Sequence, residues 1–294
     1  MLPVRTLLLM AVGVLAVSFS GPLMAAMVVP PLAISLWRNA GAAAVLAPGA
    51  MRRGEIRRLD RGTARLVGGA GLALAVHFGT WVTSLTLTSV ASATALVCLQ
   101  IAWVVAWQLL RGERYGVLAV SGLVTAFVGV LVVSGVDLSL STRALVGDVL
   151  ALLGGMAAAV YVLVGVRARQ ALSTTSYTFS VYGTCAAILL PACLVAGQDP
   201  VGFPAKQWAL LGLVTLTSQL LGHSTFNHLL ATVPAVVVSL ALLLEVPGAS
   251  LIAAAWLHQV PSVAAVIGLV TILVGTALVV LDGRSDTPAA APLD

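Results

Sequence analysis

From Thr6 to Leu281 the sequence is a train of apolar runs, interrupted only by short clusters of arginine, proline and glycine. A helix needs about 20 mostly apolar residues to cross the hydrocarbon layer of a membrane. Only 9% of the 294 residues are charged and 60% are hydrophobic, with mean hydropathy +1.08. Soluble domains carry about 25% charged residues, and a water-soluble fold has nowhere to hide so much apolar surface. In lipid every backbone polar group must be satisfied inside its own element. The expectation is therefore an all-α integral membrane protein.

Breaks at charges, Pro and Gly predict ten transmembrane helices: Thr6–Met27, Pro30–Leu46, Leu66–Thr86, Ser89–Leu110, Gly116–Gly135, Val146–Val166, Ser176–Ala196, Trp208–Leu229, Ala235–Trp256 and Val263–Leu281. The first of them begins like a signal peptide, with Arg5 before an apolar core. Further spans follow at once, so it reads as an uncleaved helix. The tail, residues 283–294, is rich in Pro and Ala and is expected to be disordered.

The charges orient the chain. With the N-terminus inside, Arg5, Arg52, Arg53, Arg57, Arg58, Arg61, Arg65, Arg111, Arg114, Arg167, Arg169 and Arg284 all fall on the cytoplasmic side. Only Arg143 and Lys206 fall outside, and Arg38 remains within the membrane. An odd number of spans, or the reverse orientation, destroys this positive-inside bias. The expected location is the cell (inner or plasma) membrane, multi-pass, with both termini cytoplasmic. The arginines sit in loops rather than in a stripe on a folded domain, so no nucleic-acid partner is expected. Cys98, Cys185 and Cys193 lie in apolar runs without metal spacing and read as packing residues.

The chain also repeats itself. "GLVTAFVGVLVV" at Gly122–Val133 matches "GLVTILVGTALV" at Gly268–Val279, an offset of 146 residues. The same offset sets His77 on His223 and Glu113 on Gln259. Half a chain repeating at this distance means five spans plus five. Five is odd, so the second copy enters from the opposite side: two inverted five-helix repeats, 5–141 and 142–282. Such repeats place a solute site near the midplane between the halves.

Several motifs resemble the drug/metabolite transporter superfamily, EamA family. They are Arg38 in "PPLAISLWRNAGAAAVL", the fourth span ending in "LLRGERYG", the ninth span with "LLLEVPGAS", and the glycine-spaced fifth and tenth spans. The resemblance covers residues 5–282 and implies a secondary transporter for a small metabolite, often an exporter of amino acids or related amphiphilic compounds. Two other readings stay open, a sugar-phosphate or nucleotide-sugar exchanger and a membrane enzyme acting on lipids. Against the family pattern, the fourth span has no proline in "CLQIAWVV", the second hairpin reads "LHQVPS", and the Glu-Pro pair is opened to Glu-Val-Pro.

Polar residues at helical spacing mark candidate cavity walls. His77, Trp81, Ser84 and Thr88 share a face of the third span; Gln100, Trp103 and Trp107 share one on the fourth; Gln219, His223 and Asn227 share one on the eighth. The same residues can instead be interhelical glue, and Trp103 and Trp107 can instead belong to an interfacial belt. His228 and His258 read as interfacial, Glu113 as a turn contact, and Asp148 as an acid near a helix N-terminus. Arg38 and Glu245 lie near the centre of their spans and have no charged mate at the offset. They read either as a functional pair, with Glu245 coupling transport to protons, or as a buried structural ion pair. No catalytic motif, metal site or cofactor motif is present. The expected partners are a small-molecule substrate and membrane lipid, with protons as an option, for a monomer or a homodimer.

Overall fold

The computed structural model describes residues 2–138 and 141–281. The tail and Arg284 lie outside the described residues. Among the described residues the structure is helical, with no strand. In chain order the helices are α1 (Val4–Ser18), α2 (Ser20–Ala25), α3 (Pro31–Arg53), α4 (Arg61–Ser84), α5 (Val90–Cys98), α6 (Gln100–Leu110) and α7 (Val117–Leu138). Then come α8 (Thr142–Ala171), α9 (Thr174–Val195), α10 (Ala205–Val214), a π-helical stretch (Thr215–His223), α11 (Ser224–Leu229), α12 (Ala235–Leu243), α13 (Glu245–Leu257) and α14 (Val263–Leu281). Six stretches among the described residues are long and apolar enough to cross a membrane: Val4–Ala25, Arg61–Ser84, Val90–Leu110, Thr142–Ala171, Thr174–Val195 and Ala235–Leu257. Val117–Val133 and Val263–Val279 are shorter apolar helices.

Local chemistry explains the boundaries, and several run past the predicted ones. α3 continues through Pro48 into the arginine cluster and stops at Gly54, whose φ of 68° is a conformation that glycine adopts without strain. α4 starts five residues before Leu66, because Asp60 accepts from the backbone N–H of Gly62 and Thr63. The Thr63 hydroxyl also donates to Asp60, and these bonds hold its carboxyl below the usual carboxylate range. α8 starts at Thr142 under a Ser141 cap and is about 45 Å long at 1.5 Å per residue. That start corrects the reading of Asp148. It is buried beyond the first turn, outside the reach of the helix dipole.

Small residues decide which helices touch. α7 and α14 lie face to face, with Gly122 against Gly275 and Gly129 against Gly268. A Cβ on Gly129 would sit 2.7 Å from the Gly268 carbonyl oxygen, so only glycine permits this approach. α4 runs along α8 and α3 along α9, while α1 lies on the π-helical stretch and α5 on α13. Aliphatic side chains such as Leu8, Leu72, Val120, Val160 and Ile267 cover the outside.

The bundle has two chemically distinct ends. At the basic end Glu55 accepts from the backbone N–H of Ser173, and Arg169 bonds the carbonyls of Asn227 and Leu172 and the Thr174 hydroxyl. At the opposite end Gln198 accepts from Leu32 N–H, Gln207 from Val28 N–H, and Gln259 from Val90 N–H. There Arg143 also donates to the Thr86 carbonyl and the Trp37 indole to the Pro200 carbonyl.

Candidate functional site

Two helices are broken at matching places. Pro247 has no N–H for the Leu243 carbonyl, and α12 ends at Leu243. After Leu244 the chain resumes as α13, whose first residue is Glu245. In the first repeat α5 ends at Cys98 and α6 resumes at Gln100, without any proline. Here the chain tightens into i→i+3 bonds, Leu99 N–H to Leu96 and Ala102 N–H to Leu99. Gly155 of α8 lets Val97 come close, since a Cβ there would lie 2.8 Å from the Val97 carbonyl oxygen. The Cys98 thiol reaches the Leu242 carbonyl of the other broken helix at 3.5 Å.

Both breaks deliver a long polar side chain, Gln100 and Glu245, into one cavity. His77 and His223 also line it, 6.4 Å apart between ring centroids, as do Trp81 and Asn227. His77 and His223 are separated by the repeat offset, and so are Trp81 and Asn227. Tyr161 and Cys98 complete its polar surface; Phe226, Leu230 and Leu242 are among its apolar walls. The cavity measures about 40 Å³, room for a few waters and far below the ~300–1,000 Å³ of a small-molecule pocket. In this conformation the cavity is too small to hold a metabolite.

Each wall residue is held by its neighbours. The Gly154 carbonyl can only accept, so His77 Nδ1, at 3.0 Å, carries a hydrogen. Asn227 accepts from the Tyr161 hydroxyl at 2.6 Å and donates to Tyr182 at 3.3 Å. Glu245 is 7% exposed, and its Oε1 has no hydrogen-bond partner among the described residues. A buried carboxyl oxygen left free beside a cavity is costly unless something else meets it.

Arg38 stands behind this wall. It is fully buried, donating from Nε to Gln219 at 2.8 Å and from Nη1 to Ser20 at 3.1 Å and Met24 Sδ at 3.2 Å. Its guanidinium lies 4.0 Å from the centre of the Phe78 ring, which meets His223 in an edge-to-face arrangement at 5.3 Å between centroids. Gln219 in turn donates to Asn39. Arg38 thus ties α2, α3, α4 and the π-helical stretch together. Among the described residues no ion pair within 4.0 Å joins it to Glu245, so the close structural pair considered from sequence is not formed here.

Of the residues singled out by spacing, His77, Trp81, Gln100, His223 and Asn227 meet at the cavity, joined by the intramembrane acid Glu245. Gln219 and Arg38 form the layer behind. Ser84 is buried and bonds the Trp81 carbonyl of its own helix. Trp103 is 42% exposed on the outer surface, and Trp107 lines a separate vestibule at the basic end. Spacing missed Tyr161 and Tyr182, which lie on the sixth and seventh spans. The available signal was a phenol inside each apolar run, a group that needs a partner when buried.

The EamA-like transporter family matches this chain twice, over residues 4–135 and 145–281. No curated protein matches it. A solved structure described as "Crystal structure of protein" shares the fold with a TM-score of 0.72 at 18% identity, covering 96% of this chain and 99% of that one. The chain belongs to the EamA-like transporter family, within the drug/metabolite transporter superfamily, and is a multi-pass membrane protein.

Proposed function

We propose that this member of the EamA-like transporter family is a secondary carrier that moves a small amphiphilic solute by alternating access, in the direction of export. In this reading ten helices form two inverted repeats, 5–141 and 142–282, in the cell membrane with both termini cytoplasmic. Glycine contacts support the inverted relation. The offset carries Gly122 to Gly268 and Gly129 to Gly275, and the observed contacts, Gly122 with Gly275 and Gly129 with Gly268, are exchanged with each other by that operation. A local two-fold axis between α7 and α14 has this effect.

One observation carries the reading: the two broken helices and the two histidines meet at one cavity between the halves. Discontinuous helices in corresponding positions of two repeats mark the binding site of many secondary transporters. The walls combine rings and aliphatic groups with few polar atoms, which suits an amino acid or a related amphiphile. Arg38 lies behind the cavity wall rather than on it, bonded to Gln219 and Ser20 and set against Phe78, so the cavity offers little cation to a sugar phosphate. Glu245 is the proposed proton-coupling group, because its carboxyl faces the cavity with a free oxygen.

The test is flux in liposomes holding the purified protein, challenged with a pooled mixture of amino acids and other small metabolites. At least one solute should accumulate, and Arg38→Ala should abolish its movement. Arg38→Lys keeps the charge but loses the planar fork, and should transport poorly. Normal flux in a folded Arg38→Ala protein removes Arg38 from the site.

A further inference from the structure

The crevices at the two ends of the bundle differ in charge and in their relation to the central cavity. At the basic end a vestibule of about 500 Å³ lies between α6, α8 and the loop from α11 to α12. Its wall carries Arg111 and Arg167 against a single carboxylate, Glu113. The Arg111 guanidinium lies 5.1 Å from the centre of the Trp107 ring. At the opposite end a crevice of about 380 Å³ is lined by serines, Gln259 and small apolar residues, with no charged side chain.

Leu230 lines both the vestibule and the central cavity. Among the described residues none lines both that cavity and the opposite crevice. Leu230 is buried and follows α11, its N–H bonded to the Phe226 carbonyl at 3.0 Å. Its mate at the repeat offset is Ser84, which turns back to the Trp81 carbonyl. Among the described residues, Leu230 is thus the one side chain shared by the cavity and a crevice at either end, and that crevice is the basic one.

We propose that the vestibule is a loading site for a solute bearing an anionic group, with Arg111 and Arg167 as its cationic contacts and Leu230 as the lid to the central cavity. This rests on the carrier reading of that cavity. The vestibule, at about 500 Å³, has the volume of a small-molecule pocket and the central cavity, at about 40 Å³, does not, so a solute waits there until Leu230 moves. Two guanidiniums facing one carboxylate leave the wall positive, and low-dielectric walls focus that field on an entering anion. The planar fork of each suits a carboxylate. Trp107, Val233 and Pro234 offer an apolar surface to the rest of an amphiphile.

Cys98 lines the central cavity and serves as the reporter. In a Cys185→Ala/Cys193→Ala background, its modification is timed by mass spectrometry on the full chain in lipid nanodiscs. The probes are an anionic sulfonatoethyl and a cationic trimethylammonioethyl methanethiosulfonate. Leu230→Ala should speed both reagents about tenfold, Leu230→Val should do so less, and Leu230→Trp should slow both. An unchanged rate in folded Leu230→Ala and Leu230→Val overturns the lid. Arg111→Gln/Arg167→Gln should slow the anionic reagent about tenfold relative to the cationic one; an unchanged ratio overturns the anion site. Val260→Trp, at the opposite crevice, should leave the rates as they are, and a drop there overturns the assigned route. None of these rates depends on transport. Absence of flux in liposomes, with the Cys98 pattern as expected, would therefore count against the carrier reading and not against the vestibule.

Discussion

The predicted fourth span (α5 and α6) and ninth span (α12 and α13) are broken within one residue of the same repeat position, by different means. In the ninth, Pro247 withdraws a donor from the Leu243 carbonyl, and the break is written into the local sequence. In the fourth there is no proline, and the break at Leu99 arises where Gly155 of α8 and Leu242 of α12 meet the chain. The polar residue after each break differs too: Gln100 in one half, Glu245 in the other. The scaffold keeps the geometry in both halves, while the ionisable group is placed in only one.

The sharpest way to break this comparison is to erase its chemical difference. Glu245→Gln gives both broken helices an amide. If Glu245 couples flux to protons, accumulation driven by an imposed pH gradient should fall about tenfold or more, while exchange without a gradient persists. Equal responses of parent and variant to the gradient would take the coupling role away from Glu245.

Next in size is Gly155→Leu, aimed at the break made by packing. Its side chain would drive into the Val97 carbonyl and separate α5 from α8, at a cost of ~1–3 kcal/mol. A clear fall in unfolding temperature in detergent is expected, larger than that of Leu153→Ala on the exposed face of the same helix. Equal stability would mean that the fourth span does not depend on this approach.

Pro247→Ala tests the other break. It returns a donor to the Leu243 carbonyl, and a net gain of ~0.5–1.5 kcal/mol is the range for one hydrogen bond. Spin labels at Val237 and Leu251 should report a straighter helix, with slower flux. If their distance stays as in the parent, packing rather than the proline bends the ninth span as well.

The smallest effect is expected from Cys98→Ala. It removes one weak sulfur bond between the two broken helices, and thermal unfolding should shift by ~1 kcal/mol or less. A larger loss would make the Cys98–Leu242 contact a principal tie between the repeats.

Much of the architecture was legible before any coordinates. Lipid leaves helices as the economical way to satisfy a backbone, so apolar length and arginine spacing located the helical runs. The repeat offset already paired His77 with His223. Pro247 announced its break. The break at Leu99 was not legible, since its cause sits on α8, more than fifty residues away. Nor was the π-helical stretch, because Gly69–His77, its mate in the first repeat, is ordinary α-helix within α4. Side-chain spacing identified helix faces but not which face looks inward. That is why Trp103 shared a stripe with Gln100 yet ended on the outer surface.

Sequence by itself determined that the chain lives in a membrane, is helical, and carries two related halves with a lone acid in the second. These follow from composition and local periodicity, which act along the chain. Tertiary structure alone decided that Arg38 engages Gln219, Ser20 and Phe78 rather than pairing closely with Glu245. It also decided that the cavity is small and that Leu230 lines both it and the basic vestibule. Those outcomes depend on contacts between residues up to 181 positions apart, and a buried charge takes whichever partners the packed helices bring within reach.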